Sequence, residues 1–165
     1  MSTARELWKC PSCGHRFVTP NIWHSCGRFQ IDDHFSGKAP IVRELFDRIL
    51  EIVDGFGPVN VYAQKTSIVF QVRVRFARAM PKKQWLDGHL WLKRRAEHPR
   101  LTKVEHLLRH DWIHWFRLTA PADIDKQFVT LLRESYMIGE QKRRELRPQI
   151  KAGTMRRRDT ETQRN

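Results

Sequence analysis

All three cysteines fall near the start of the chain, as Cys10-Pro-Ser-Cys13-Gly and then His24-Ser-Cys26-Gly. No other feature restricts the fold as much. A C-x2-C pair can place two thiolates on one ion, and thiolates with imidazole form the closed tetrahedral sites of Zn2+. Gly14 and Gly27 follow the last cysteine of each half. Glycine tolerates left-handed backbone angles, so the chain can turn its amides back toward the sulfurs. Three sulfurs need one further ligand. His24 is the first candidate and His34 the alternative, while His15 stands too close to the first pair to reach round. A disulfide would leave one cysteine odd. Four ligands so close in sequence suit a structural ion rather than a catalytic one with an open position. The sequence therefore predicts one structural Zn2+ in a ribbon-like module over residues 1–38, where the ion replaces a core that so short a segment cannot build.

The remainder suits one compact domain. Six Trp and nine Phe in 165 residues can supply a core. No apolar run approaches a membrane span, and Met1–Lys9 holds no apolar signal region. Thiols poised for metal suit a reducing cytoplasm. The net charge is +13 with a pI near 10.4, which attracts polyanions such as nucleic acid. Residues 142–165 hold nine basic and three acidic side chains, so +6 of the excess sits in this tail and +7 elsewhere. Such a tail, expected to be disordered, confers solubility or acts as a nucleic-acid arm.

Between module and tail, residues 39–141 read as an α+β domain. Val42, Leu45, Phe46, Ile49, Ile52 and Val53 recur at helical spacing after Pro40, and Gly55 with Gly57-Pro58 ends the helix. Residues 59–63 form a short strand. Ile68, Phe70, Val72, Val74 and Phe76 alternate with Gln71, Arg73 and Arg75, which predicts one long strand with a single buried face. Residues 84–92 and 112–118 give two more strands, and 103–108 a brief strand or helical turn. A last helix starts near Pro121, with Asp123 and Asp125 in its first turn. Strands in a run between two helices argue for an antiparallel sheet of about four strands. Trp8, Phe17, Trp23 and Phe29 are expected to pack around the metal module.

The helices should cover one side of the sheet. The other then carries Gln71, Arg73 and Arg75 beside Trp85, His89 and Trp91, joined by Ile113, Trp115 and Arg117 or by Trp112, His114 and Phe116. Arginines among aromatic rings can stack on bases and meet phosphates. The competing expectation is that the metal module caps this face and makes Trp85 and Trp91 interface core. Lys65, just before the strongest strand, is a candidate anion ligand or base, or a solvated turn residue. His89 and His114 fall on neighbouring strands and could converge. Asp32-Asp33-His34 could bind metal or organise the module, with a solvated loop the first reading. Nucleophile elbow, Walker loop and H-E-x-x-H motifs are missing, which argues against an enzyme.

The combination Trp8-Lys-Cys-Pro-Ser-Cys-Gly, His24-Ser-Cys-Gly, His34-Phe-x-Gly-Lys, Gln64-Lys-Thr, His89-Leu-Trp-Leu-Lys-Arg and a late Asp125…Tyr136…Gly139 resembles an uncharacterised bacterial family, a domain of unknown function. Some longer relatives are labelled predicted transport proteins, which nothing in this sequence supports. The resemblance covers about residues 7–140 and matches at Cys10, Cys13, His24, Cys26, His34, Lys65, Arg73, His89 and His114. It implies an α+β domain with an N-terminal zinc-ribbon-like module, and brings no reaction or substrate.

Two functions are expected from these features. The first is a non-enzymatic zinc protein that binds nucleic acid through Lys65, Arg73, Arg75, Trp85, His89, Trp91, His114 and the tail. The second is an α+β domain that holds a small anionic ligand, or acts as an enzyme, in a cleft near Lys65. A protein-interaction module is a third possibility, its partner unknown; no membrane partner is expected.

Overall fold

The computed structural model of the protein describes residues 6–141. The basic tail, and the roles expected of it, lie outside the described residues. Two short strands, β1 (Trp8–Lys9) and β2 (Arg16–Phe17), pair antiparallel as a small ribbon. A 3-10 turn over Asp32–Phe35 leads to helix α1 (Pro40–Asp54). Pro40 opens this helix, where its missing N–H leaves no bond unmade. Val42, Leu45, Phe46, Ile49 and Val53 form its buried stripe, as the spacing predicts.

Six strands follow: β3 (Asn60–Ala63), β4 (Ile68–Gln71), β5 (Arg75–Pro81), β6 (Leu86–Leu92), β7 (Leu101–His106) and β8 (Trp112–Leu118). They form one antiparallel sheet in the order β3-β4-β5-β6-β8-β7. Helix α2 (Lys126–Gly139) packs on β5 and β6 with α1 beside it. The core between helices and sheet centres on Phe46, Phe70, Phe76, Leu90, Phe116 and Phe128. The fold is α+β, as expected, with six strands rather than about four in the main sheet.

The added strands have particular causes. The long strand expected over Ile68–Phe76 is two strands, because the chain reverses at Val72–Val74. The amides of Arg73 and Val74 both donate to the Gly139 carbonyl, at 2.9 and 3.1 Å. The end of α2 thus supplies the acceptor that a local turn motif would otherwise provide. The segment at 101–106 is the edge strand β7, paired with β8 rather than with its predecessor. The last helix also begins later than expected. Pro121–Asp123 is a 3-10 turn, and the Asp125 side chain caps α2 by accepting from the Phe128 amide at 2.8 Å.

Ser135 ties α2 to the sheet where β5 and β6 part. Its buried hydroxyl donates to the Phe76 carbonyl at 2.6 Å and accepts from the Trp91 amide at 3.2 Å. It stands in for the ladder bonds those two strands would have exchanged.

Candidate functional site

The ribbon brings four ligand atoms together. One atom each from Cys10, Cys13, His24 and Cys26 lies within 4.8 Å of all the others, so the cluster could hold a metal ion. The first half of the site is a tight turn: the Cys10 amide donates to the His15 carbonyl at 2.8 Å, and the Gly14 amide to the Cys10 carbonyl at 2.9 Å. Gly14 and Gly27 sit at φ +74 and +72°, the left-handed region that their positions after each cysteine suggested. The Cys10 and Cys26 sulfurs stand 3.8 Å apart, and Cys13 Sγ is 3.2 Å from His24 Nε2. His24 Nδ1 donates to the Ile22 carbonyl at 2.8 Å. That bond fixes the tautomer with Nε2 free for an ion, the usual support for a ligating histidine. Amide bonds, chiefly from Cys13, pull the Cys10 thiol down to about 6, so it is readily a thiolate. Burial pushes the Cys13 thiol up.

His34 is elsewhere. Its Nε2 donates to the Gln64 carbonyl at 2.8 Å and fastens the 3-10 turn to the domain. Phe17 is buried against Trp8 and His24, but Trp23 is 83 % exposed, against expectation. With His24 turned into the cluster, its neighbour along the chain points outward.

The ribbon docks on the face of the sheet opposite the helices. His15 Nδ1 lies 3.3 Å from Cys13 Sγ, and its ring packs at a tilt on Tyr62 with centroids 4.6 Å apart. Gln71 is buried there, donating to the Arg16 carbonyl at 2.6 Å and accepting from the Tyr62 hydroxyl at 3.0 Å. Arg75 Nε donates to the same hydroxyl at 2.8 Å. The cap expected as one alternative therefore exists, but it covers the β3–β4 end only. Among the described residues, no helix packs on the rest of this face.

The register defines what the uncovered part displays. One row of side chains crosses all six strands: Tyr62, Val69, Arg78, His89, Trp115 and Lys103. His89 is buried in this row, its ring 4.8 Å from that of Trp115. Burial, reinforced by the charge of Arg78, lowers its pKa to about 4, so it is neutral at pH 7. A second row carries Asp87 and Arg117, joined by two bonds at 2.8 and 3.1 Å. Arg117 also lies over the Trp85 ring, 4.6 Å from its centroid. Trp85 is half-buried and Trp91 exposed, and neither is interface core with the ribbon.

Several expected partners are placed differently. Arg73 sits in the reversal at 72–74, with Nε 3.4 Å from Gln141 Oε1, and does not stand beside His89. Arg78 takes that place, because the extra reversal changes which residues of β5 meet β6. His114 does not converge with His89. It pairs with Leu90 on the helix-covered face, fully buried, accepting from the Ala96 amide at 2.8 Å. Lys65 is exposed in the β3–β4 turn and lines no described cleft. A cleft of about 650 Å3 lies at the end of α2 among Trp91, Trp112, Leu107, Met137, Arg94 and Glu134. Of these, only Trp91 and Trp112 were among the residues the sequence offered for a functional face. The rest gave no signal because the cleft arises where β6, β8 and α2 diverge in space.

Among the described residues, no helix is long and apolar enough to cross a membrane. No curated protein and no solved structure matches the chain. A family model, Domain of unknown function (DUF5655), matches residues 31–139, which include α1, the whole six-stranded sheet and α2 but not the cysteine cluster. With most of its length matched to that model, and with a helix-backed antiparallel sheet filling the matched span, this chain belongs to the DUF5655 family of unknown function.

Proposed function

We propose that the protein is a non-enzymatic, zinc-stabilised nucleic-acid-binding protein that uses the helix-free face of its sheet. The observation that carries this reading is the aromatic and basic character of the uncovered face: Trp115 in tilted contact with His89, Trp85 under Arg117, and Arg78 between them and the ribbon. Rings exposed on a sheet stack on unpaired bases, and guanidinium groups meet phosphates. Wild-type protein should bind a fluorescent oligonucleotide, with affinity falling steeply between 50 and 200 mM salt as on the order of several phosphate contacts are lost. Trp115→Ala and Trp85→Ala should each weaken binding about tenfold, as stacking on one base is worth on the order of 1–3 kcal/mol. Absence of binding to both DNA and RNA at low salt would end the proposal.

Zinc as the ion is supported by the donor set and spacing. A tetrahedral zinc with bonds of about 2.3 Å holds two thiolates roughly 3.8 Å apart, and Cys10 and Cys26 are 3.8 Å apart. A site of three sulfurs and one imidazole has no open position, so the ion's part is to hold the ribbon against Tyr62 and Gln71. Functional thiolates need a reducing compartment, which is why we place the protein in the cytoplasm. We further propose three parts, a metal module over 1–38, the α+β domain over 39–141 and the basic tail over 142–165. The family match beginning at residue 31 and the ribbon's separate two-stranded sheet support that division.

A small-ligand reading rests on the cleft at the end of α2. A volume of about 650 Å3 and walls of Trp91, Trp112, Leu107 and Met137 are of the kind that hold a flat apolar molecule. A compound screen read by Trp fluorescence, with Met137→Glu as the blocked control, tests it.

A further inference from the structure

We propose that Arg78, with Arg75 and His89 on either side, forms a specific phosphate-binding subsite where the metal ribbon meets the open sheet face. The inference rests on the proposed use of that face and names the group held there and the residues that hold it.

Arg78 is half-buried at the centre of the transverse row, across from His89 on β6 and from Val69 on β4. Directly opposed side chains in an antiparallel pair have Cβ atoms about 4.5–5.5 Å apart, so the guanidinium and the imidazole are neighbours. A half-buried guanidinium is ordinarily paired. Arg78 instead feels burial and the like charge of Arg75, relieved only by Tyr62, and no carboxylate acts on it appreciably. The two carboxylates of this face are engaged elsewhere. Asp87 is held by Arg117. Glu105 is held by Lys103 and by Trp115 Nε1, the latter at 2.9 Å. Both arginines act on Tyr62, and among the described residues neither has a carboxylate partner, which leaves positive charge uncompensated in a partly dry place.

His89 supplies the second, independent observation. It is only 8 % exposed, and its Nδ1 has no hydrogen-bond partner. A buried ring nitrogen without a partner costs free energy. In the tautomer with the ring proton on Nδ1, the acceptor that best satisfies it beside a guanidinium is an anion oxygen. A phosphate fits the combination. Arg78 offers a two-pronged donor, Arg75 a second charge, and His89 one N–H, matching several acceptor oxygens of one group. The ribbon then acts as a wall of the subsite, since His15 and Tyr62 place it beside Arg75.

Such a phosphate can belong to a nucleic-acid backbone or be free. The test titrates full-length zinc-loaded protein with inorganic phosphate, 5′-AMP and a ten-nucleotide oligothymidylate, read by the ring-proton shifts of His89 and by Trp fluorescence. The His89 ring resonances should move on addition of inorganic phosphate. Arg78→Gln should lower affinity for each probe that binds by about tenfold or more, the order expected for a charge-assisted contact. Arg78→Lys, which keeps the charge and loses the fork, should fall between. Arg48→Gln, exposed on α1 on the helix side of the sheet, removes the same charge and serves as the control that leaves inorganic phosphate binding unchanged. Oligothymidylate binding that is equal in wild type and Arg78→Gln, with unmoved His89 resonances, overturns the subsite and leaves the proposed function standing. Phosphate and 5′-AMP binding lost in Arg78→Gln without any oligonucleotide binding supports the subsite and removes the nucleic-acid reading. No response to any probe overturns both. The His89 shift is read on the wild type, so the proposal stays testable if a variant does not fold.

Discussion

Replacing His89 by phenylalanine should change how stability depends on pH, and the size of the change follows from its surroundings. His89 is 8 % exposed and packed on Trp115, and burial, reinforced by Arg78, takes its pKa from 6.5 to about 4 in the folded protein. In the unfolded chain it titrates near its ordinary value. The folded value is the lower one, so the folded state binds fewer protons than the unfolded state in this range. Stability is therefore full above pH 6.5 and is lost as pH falls through the window down to about 4. At pH 4.5 that linkage, with about 1.4 kcal/mol per pKa unit, removes on the order of 2.5 kcal/mol. Phenylalanine keeps the ring on Trp115 and has nothing to protonate, and the missing Nδ1 breaks no bond. Urea unfolding at pH 7.0 and 4.5, in buffer free of phosphate, measures the difference for wild type and His89→Phe. The wild type should lose about 2.5 kcal/mol more than the variant. His114, fully buried and likewise shifted down, and the acid-labile thiolates contribute equally to both proteins. Their effect cancels in the comparison. Parallel losses in the two proteins would show that His89 is not held neutral by its site, and would refute the reasoning.

Two further outcomes test the packing and the metal centre. A Cβ at Gly88 would stand 2.3 Å from Phe116 Cζ and 2.4 Å from the Arg78 carbonyl, so Gly88→Ala must displace a ring or a strand and should cost on the order of 1–3 kcal/mol by urea unfolding. Metal analysis should find about one zinc per chain, since such sites couple binding to folding. Chelation or Cys13→Ser should raise hydrogen exchange across β1 and β2 while the amides of β5 and β6 stay protected.

The metal cluster was legible because its information is local. Cysteine spacing and following glycines constrain a backbone of a few residues, and those constraints operate wherever the module ends up. The same holds for α1, whose apolar period and opening proline define one buried stripe before any partner is known. The face of β6 was also readable, since alternation along a strand survives any choice of neighbours. Reading failed where an element's ends depend on a distant atom. Nothing in Val72-Arg73-Val74 announces a reversal; the Gly139 carbonyl, remote in sequence, makes it by accepting two amides. That one reversal exchanged Arg73 for Arg78 beside His89, while the β6–β8 register, equally unannounced, sent His114 to the far side from His89.

Residue types and spacing alone thus determined that three sulfurs and one histidine, His24 or His34, can share an ion, that an amphipathic helix precedes an antiparallel sheet, and that the chain carries a large positive charge. Tertiary structure alone decided which arginine meets which histidine, and that the ribbon covers one end of the sheet face and not the other. Local preferences act through bonded neighbours and decay within a few residues. Strand register and docking are settled by hydrogen bonds and packing between segments far apart in the chain, and a one-residue change there turns every side chain to the other face.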